Sequence, residues 1–377
     1  MLAGGLLAAL ALLALPLVSL RENRLAEGVP HGLGAAGGWA LAVAGFAALA
    51  LVAAFVARRR LRGLLALLDG TALVVSLAWA LGSASRALLE AASPFARASV
   101  GAGTWLAVAG AAMLLFAGDD AYGDGAARPA LGAALAVGIA GAVVLGGLDR
   151  ISLAVEYEVQ SRIFWEGMGG HVALSGGSLL SAAVIGVPLG TRAASAPAVR
   201  RGVLSVTGLI QTVPSLALLG LLIAPLALLS TTYPVLRQLG IRGIGFAPAF
   251  LALTLYGLLP IVRDTYLGLR GVDPGAVNAG KGMGMTPVQL LLRVRFPLAL
   301  PLVLEGVRIA AVLVIGITTV TALVGARTLG TLVFNGLGQG AYDLTLLGAL
   351  PVIALAVLAD YSLRWLARAV TPRGVRA

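Results

Sequence analysis

Long apolar stretches alternate with short polar segments along almost the whole chain. An α-helix of about 20 mainly apolar residues is long enough to cross the hydrocarbon core of a bilayer. Ten stretches approach or exceed that length, at residues 2–20, 38–56, 64–81, 101–117, 130–148, 172–190, 204–229, 247–268, 300–324 and 344–367. The pattern predicts an all-α integral membrane protein with about ten transmembrane helices. The first stretch lacks the positively charged segment that opens a signal peptide, so it is expected to be retained, a cleaved signal being the alternative.

The composition narrows the functional classes. Hydrophobic residues make up 59% of the chain and charged residues 11%, which leaves no room for a sizeable soluble domain. The chain has no cysteine, so disulfides, thiolate metal sites and cysteine nucleophiles are excluded. Its two histidines, His31 and His171, lie far apart in sequence and do not suggest a metal site. A metalloenzyme is therefore not expected.

The positive charge of the chain predicts its orientation. The net charge is +11, and on so apolar a chain basic residues mark cytoplasmic loops rather than a nucleic-acid site. With ten spans, four basic clusters fall on the same side of the membrane, at residues 58–62, 192–201, 263–295 and 364–376. Both termini are therefore expected in the cytoplasm.

One cytoplasmic loop, at about residues 270–299, is much longer than the others. Asp273 and Pro274 are suited to open a short helix, and Gly282 and Gly284 to end it. Thr286 and Pro287 are suited to open a second, amphipathic helix, whose apolar positions are Val288, Leu291, Leu292 and Val294. Long loops are usually functional or disordered, and this one is patterned for structure. The sequence predicts a helical hairpin that docks onto another protein.

The same loop contains a near match to a phosphate-binding motif. Residues 275–282 read GAVNAGKG, but Gly282 stands where a Ser or Thr would hold magnesium. No predicted β-strand precedes the loop, as that motif requires. Nucleotide binding by this chain is not expected, so energy for any transport must come from another subunit.

Several motifs in the second half of the chain resemble one family of transporters. Asn278-Ala279-Gly280, Gly284 and Val294-Arg295-Phe296-Pro297 keep every spacing of the EAA loop of ABC importer permeases, which are MetI-like membrane subunits. The strings IQTVPSLALLG (210–220), LYGLLPIVRDTY (255–266), VDPGAVNAGKGMGMT (272–286) and TPRG (371–374) are similar to permeases for glycine betaine, choline and related osmoprotectants. The resemblance covers about residues 155–375.

The resemblance implies a domain organisation and a coupling site. Residues 151–377 would form a five-helix MetI-like permease core, and residues 1–150 an accessory module of about five helices. The polar stretch from Glu156 to Glu166 is interpreted as the domain junction, an ordinary external loop being the alternative. The loop would dock in a groove of a separate ATPase through Asn278, Ala279, Gly280, Lys281, Gly282, Gly284, Met285, Val294, Phe296 and Pro297. Asn278 and Gly280 depart from the family's glutamate and alanine.

The resemblance also implies a function. The chain would be the permease subunit of an ATP-driven importer of osmoprotectants, multi-pass in the bacterial plasma (inner) membrane and not itself an enzyme. Its implied partners are two ABC ATPase subunits, a second permease copy or homologue, an extracytoplasmic solute-binding protein and membrane lipid, with no nucleic acid. No cofactor would be bound by this chain, since ATP and magnesium would lie on the ATPase.

Two alternatives remain open for the function. The same type of importer could carry another small solute, such as methionine or another amino acid, because the EAA loop does not encode the substrate. An ion-coupled secondary transporter would normally show paired half-repeats with buried carboxylates at matching positions. No convincing repeat of this kind is present in the sequence.

Polar residues and helix breakers within two predicted spans mark a candidate translocation pathway. They are Gln211, Thr212, Pro214 and Ser215 in the seventh span, and Tyr256 and Pro260 in the eighth. Interrupted backbone at membrane depth occurs where it is buried in protein or lines a water-filled cavity. Proline kinks that serve only helix packing are the alternative.

Ionisable residues within the spans are the remaining candidates. Glu305 and Arg308, at i and i+3, are expected to pair on one face of span nine, and Asp360 lies about a turn from Arg364 in span ten. A structural ion pair and a gate are both considered, the former being preferred. Asp69, near the start of span three, is expected to be solvated.

Overall fold

The computed structural model describes residues 1–371, except residues 57, 123–126, 146 and 239. Residues 372–374, the last three of the TPRG string, lie outside the described residues, as do Arg373 and Arg376 of the final basic cluster. The chain forms two compact units. Unit 1 comprises Met1–Gln160 together with Gln339–Asp343, and unit 2 comprises Ser161–Gly338 together with the chain from Leu344 onward.

Unit 1 is a helical bundle with a small antiparallel sheet. The helices are α1 (Leu2–Ala14), α2 (Gly38–Ala53), α3 (Arg59–Glu90), α4 (Ala102–Tyr122) and α5 (Ala127–Val144), and α6 (Ser152–Ser195) begins here and continues into unit 2. The strands are β1 (Val18–Arg21), β2 (Gly28–His31) and β3 (Arg97–Val100), in the order β2-β1-β3. A short 3₁₀ turn covers Leu33–Ala36.

The sheet corrects the predicted first span. Helix α1 ends at Ala14, two residues before Pro16, and residues 18–20 are extended rather than helical. Proline lacks the N–H that would continue the helix, so the chain leaves the helix there. Val18 and Ala98 point into the core of the unit. On the other face of the sheet, the Ser99 hydroxyl donates to the Asp343 carboxylate at 2.6 Å.

Helices α3 and α4 pack closely in unit 1 because glycines face each other. A Cβ on Gly118 would lie 2.9 Å from the carbonyl oxygen of Gly63, so only small residues permit this approach. Asp69, on α3, is 2% exposed, and neither carboxylate oxygen has a hydrogen-bond partner among the described residues. The expectation that Asp69 is solvated is therefore wrong, because the neighbouring helices cover its face of α3.

Unit 2 contains the rest of α6 and the helices that follow. They are α7 (Pro197–Thr212), α8 (Ser215–Thr232), α9 (Pro234–Gln238), α10 (Phe246–Arg270), α11 (Pro274–Gly282), α12 (Pro287–Leu290), α13 (Phe296–Val320), α14 (Gly330–Gln339) and α15 (Tyr342–Val370). A π-helical turn, Leu291–Arg295, joins α12 to α13, and a 3₁₀ turn follows α13 at Thr321–Val324. Clusters of Leu, Ile, Val and Ala hold α6, α10 and α13 together.

The prediction of an all-α membrane protein is confirmed apart from the small sheet. Seven helical segments of the described chain are long and apolar enough to span, namely α3, α4, α6, α8, α10, the segment Pro287–Val324 and α15. Three shorter apolar helices, Leu2–Ala14, Gly38–Ala53 and Gly132–Val144, coincide with the other predicted stretches. The count of about ten spans therefore stays a prediction.

Two predicted boundaries change in the structure. The polar stretch from Glu156 to Glu166 is not a loop, because it lies within α6, which is helical from Ser152 to Ser195 without a break. Predicted span seven is two helices, α7 and α8, separated at Val213 and Pro214.

Candidate functional site

The long loop between α10 and α13 folds as a helical hairpin whose first arm is α11. Asp273 caps this arm, since its Oδ2 accepts a hydrogen bond from the backbone N–H of Ala276 at 3.2 Å. Pro274 occupies the first helical position, where its missing N–H costs nothing. The arm ends at Gly282, and Gly284 turns the chain with φ of 75°. This left-handed conformation is one that glycine adopts without strain.

The second arm starts with a capping box. The Thr286 hydroxyl accepts from the Gln289 backbone N–H at 3.3 Å, and the Gln289 side chain accepts from the Thr286 N–H at 2.9 Å. From Pro287 the chain stays helical through α12 and the π-helical turn into α13. The expected separate amphipathic helix is therefore the first part of the helical segment that contains predicted span nine.

The π-helical turn lies just before two prolines of α13. Pro297 and Pro301 have no N–H to donate to the carbonyls four residues earlier, so regular α-helical bonding is interrupted at this point. Such turns inside helices are frequent at functional sites. The turn is the only link along the chain between the hairpin tip and the membrane-embedded part of α13.

Gly280 brings the two arms into contact. A Cβ there would lie 2.6 Å from Leu290 Cδ1 and 3.5 Å from Val294 Cγ2, so the arms touch at this residue. Glycine in place of the family's alanine thus allows a tighter hairpin. The two arms therefore pack directly against each other.

The predicted coupling residues divide into an inner and an outer set. Gly280 is buried, and Met285, Val294, Phe296 and Pro297 are half-buried. The outer set, which is exposed, comprises Asn278, Ala279, Lys281, Gly282 and Gly284. Of the predicted coupling residues, the outer set presents the most surface to solvent.

Three exposed apolar side chains extend the outer surface of the hairpin. Met283 is 70% exposed, and Val288 and Leu292 are also exposed. Exposed apolar side chains grouped together are typical of interaction surfaces. The amphipathic pattern placed Val288 and Leu292 among the apolar positions of the second helix and did not select Met283, although its position between two helix-ending glycines was a usable signal.

The pathway candidates of the seventh and eighth spans meet in unit 2. Pro214 cannot donate a backbone hydrogen bond, and it holds Val213 in an extended conformation between α7 and α8. The Tyr256 hydroxyl, from α10, donates to the carbonyl of Val213. In return, Gln211 Nε2 donates to the carbonyl of Tyr256 at 3.0 Å.

The second of these hydrogen bonds has a clear cause in α10. Pro260 has no N–H, so the carbonyl of Tyr256, four residues earlier, has no donor within its own helix. Gln211 supplies that donor. The expectation of an interrupted eighth span is wrong, however, since α10 is continuous from Phe246 to Arg270.

The other two pathway candidates make only local contacts. The Thr212 hydroxyl is exposed and donates to the carbonyl of Leu209 at 2.7 Å, and Ser215 is the first residue of α8. Neither is joined to α10 as Gln211 and Tyr256 are.

Three of the ionisable candidates within the spans, Glu305, Arg308 and Asp360, form one network between α13 and α15. Arg308 Nε donates to Glu305 Oε2 at 2.9 Å, and the same guanidinium binds Asp360 on α15. Asp360 also accepts from Arg364 Nε at 2.9 Å. Negative and positive groups thus alternate, which offsets the cost of placing each charge in a poorly solvated region. Arg308 and Asp360 lie 52 positions apart, so local sequence spacing does not predict their contact.

Two family models match this chain, each over a different part of it. A family model described as the binding-protein-dependent transport system inner membrane component matches residues 186–372. A second model, the N-terminal domain of the ABC transporter permease YehY, matches residues 1–154.

Similar curated proteins are transport permeases. The carnitine transport permease protein OpuCB of Listeria monocytogenes is 37% identical over 55% of this chain and 87% of its own length. The osmoprotectant import permease protein OsmW of Salmonella typhimurium is 40% identical over 52% of this chain and 86% of its own length. Among solved structures, an inward-facing methionine ABC transporter MetNI has a chain that matches 57% of this chain and 99% of itself, at 24% identity and a TM-score of 0.49.

The family model covers the capped hairpin, the broken seventh span and the ion network, and the curated relatives are matched over most of their length. The chain therefore belongs to the family of binding-protein-dependent transport system inner membrane components, and it is a multi-pass membrane permease of the ABC transporter class.

Proposed function

We propose that this chain is the permease subunit of an ATP-driven importer of osmoprotectants such as glycine betaine, choline or carnitine. The observation that carries the proposal is the capped hairpin with an exposed tip on a permease scaffold. Relatives named for import of osmoprotectants, carnitine and choline support the substrate class. Aromatic residues, which cage quaternary ammonium groups, are only 6% of the chain. Substrate selection is accordingly assigned to a binding protein.

The assembly proposed around this chain has several partners. Two ABC ATPase subunits bind the hairpin and carry ATP and magnesium, so this chain binds no cofactor and hydrolyses nothing. A second permease copy or homologue completes the membrane part, and an extracytoplasmic solute-binding protein delivers the solute. The complex lies in the bacterial inner membrane among its lipids, with both termini in the cytoplasm, and has no nucleic-acid partner.

Different groups of residues in this chain have different roles in the proposed transport. The exposed tip residues Asn278, Ala279, Lys281, Gly282 and Gly284 dock on the ATPase. The packed arms of the hairpin transmit its movement through the π-helical turn into α13. Gln211, Tyr256 and the break at Pro214 line the solute pathway, and the network around Arg308 ties α13 to α15.

Residues 1–150 are proposed to be an accessory module outside the solute pathway. The match of a separate family model to residues 1–154 supports this division. A chain that lacks residues 1–150 should keep part of its ATP-dependent uptake in vesicles, with insertion checked by protease protection. Complete loss of uptake from a truncated complex that still inserts and binds ATPase would contradict the proposal.

Gly284→Asp tests the coupling role of the hairpin. Aspartate tolerates a positive φ better than most residues, and no atom lies within 4 Å of the position a Cβ would take, so the fold should persist. An unpaired carboxylate at a desolvated contact costs several kcal/mol at an interface. We therefore expect the ATPase to dissociate, or to hydrolyse ATP without glycine betaine uptake.

Gly240→Asp is the matched control for this experiment. Gly240 has φ of 81°, equally open space around its Cβ position, and lies in the connection between α9 and α10. Co-purification of the ATPase and solute uptake in vesicles are the measurements. Normal ATPase binding and uptake in Gly284→Asp would show that the hairpin is not the coupling element.

The substrate class is tested separately, with the unmodified complex. Uptake of an amino acid but of no quaternary amine would overturn the substrate class and leave the coupling role of the hairpin unaffected.

A further inference from the structure

A groove opens in unit 2 between α6, α13 and α15. Its volume is about 280 Å³, and it lies beside the Arg308 network, since its lining residues Ala311 and Ala359 are close in sequence to Arg308 and Asp360. Val172, Gly176 and Leu179 line it from α6, Ala311 and Ile315 from α13, and Leu358 from α15. The wall is therefore almost entirely apolar.

The polar atoms in the groove wall are already satisfied. Two hydroxyls reach the wall, those of Ser175 and Ser362. The Ser175 hydroxyl donates to the carbonyl of His171 at 2.7 Å, and the Ser362 hydroxyl donates to the carbonyl of Leu358 at 2.6 Å. An occupant need not supply hydrogen bonds to these groups, so hydrocarbon fits the groove.

Positive charge and interfacial aromatic residues stand at one end of the groove. Leu363 of α15 lines the groove, and the next residue, Arg364, is 53% exposed although its Nε binds Asp360. Arg368 follows one turn later and is also exposed. Tyr361 and Trp365 are exposed on the same helix, as aromatic side chains are at a membrane–water interface. This end therefore suits a phosphate group at headgroup depth.

We propose that the groove binds a phospholipid, with an acyl chain between α6, α13 and α15 and the lipid phosphate at Arg364. The apolar wall without free polar atoms and the cationic end together match this one class of ligand. The bound lipid fills the space between α13, which carries the hairpin movement, and α15. The site is independent of which solute the transporter carries, because it rests only on the membrane location of the chain.

Gly176→Phe tests the site by filling the groove. No atom lies within 4 Å of the position of a Cβ on Gly176, and its φ is not positive, so a ring is accommodated without a clash of the backbone. Gly169→Phe is the matched control, since Gly169 lies two turns earlier on α6, has equally open space and does not line the groove. Each full-length protein is purified in mild detergent, and retained phospholipid is counted by native mass spectrometry and by phosphorus analysis.

The wild type and Gly169→Phe should retain a phospholipid that Gly176→Phe loses, and Arg364→Gln should retain less than the wild type. Equal retention by Gly176→Phe and the wild type would overturn the proposal.

A second copy of this chain is the competing occupant of the groove. Leu358→Cys, in a chain with no other cysteine, detects it by disulfide cross-linking. Efficient disulfide-linked dimers through Cys introduced at residue 358 in membranes would also overturn the proposal.

Discussion

At the scale of single residues, Arg308 has the largest expected effect on stability. It is the only residue of the network that contacts both Glu305 and Asp360, on two different helices. Arg308→Gln leaves two neighbouring carboxylates without their cation. Breaking a fully buried pair costs several kcal/mol, but Glu305 is 38% exposed, so we expect a loss of about 2 kcal/mol.

The measurement for Arg308→Gln is the thermal unfolding midpoint of the purified protein in detergent. Arg364→Gln is the control, since Asp360 keeps its contact with Arg308 in that variant. Equal destabilisation by the two substitutions would show that the network does not depend on Arg308.

The sequence predicts some residue-scale contacts but not others. Glu305 and Arg308 are three apart on a helix, so their pairing follows from helical geometry alone. The Arg308 contact with Asp360 depends on how α13 and α15 pack, which spacing does not reveal. The burial of Asp69 was missed for the same reason, because its solvation depends on helices that are distant in sequence.

At the scale of elements, the break between α7 and α8 is held by α10. The Tyr256 hydroxyl donates to the carbonyl of Val213, which has no helical N–H donor because the helix is broken there. Tyr256→Phe leaves that carbonyl without a hydrogen bond. A buried unsatisfied carbonyl costs about 1–2 kcal/mol. We expect this loss of unfolding free energy, together with reduced solute uptake, because the break lines the proposed pathway.

Tyr233→Phe, at an exposed tyrosine after α8, is the control and should change neither quantity. Thermal unfolding and vesicle uptake are measured side by side for the two variants. A Tyr256→Phe protein that is destabilised but transports like the wild type would assign Tyr256 to helix packing alone.

Local sequence signals predict helix ends better than they predict helix continuity. The hairpin caps at Asp273 and Thr286 depend on residues within one turn, and both were predicted. Pro214 ends α7 whereas Pro260 leaves α10 unbroken, since Gln211 satisfies the carbonyl that Pro260 frees. Helix propensity alone does not predict that Pro214 ends a helix and Pro260 does not. Strand β3 was missed because it pairs with β1 about 80 positions away, and β1 was missed because its residues were predicted as the end of an apolar span.

At the scale of the whole molecule, the fold class follows from composition, but the order of inside and outside does not follow from the fold. The seven long apolar helices and three shorter ones of the described residues permit more than one topology, because a helix of 13 residues, such as α1, falls short of a full span. The positions of the basic clusters, which mark cytoplasmic loops, select one of these topologies.

With ten spans and both termini in the cytoplasm, specific loops must face outward. Because the chain has no cysteine, single cysteines introduced at exposed positions report topology without background. In intact cells, an impermeant thiol reagent should label Gly34→Cys, Arg237→Cys and Gly338→Cys. It should label Arg60→Cys and Gly282→Cys only after the membrane is opened. Labelling of Gly282→Cys in intact cells would place the coupling hairpin outside and remove the basis of the proposed ATPase contact. Loss of outside labelling confined to Gly34→Cys would show that α2 does not span.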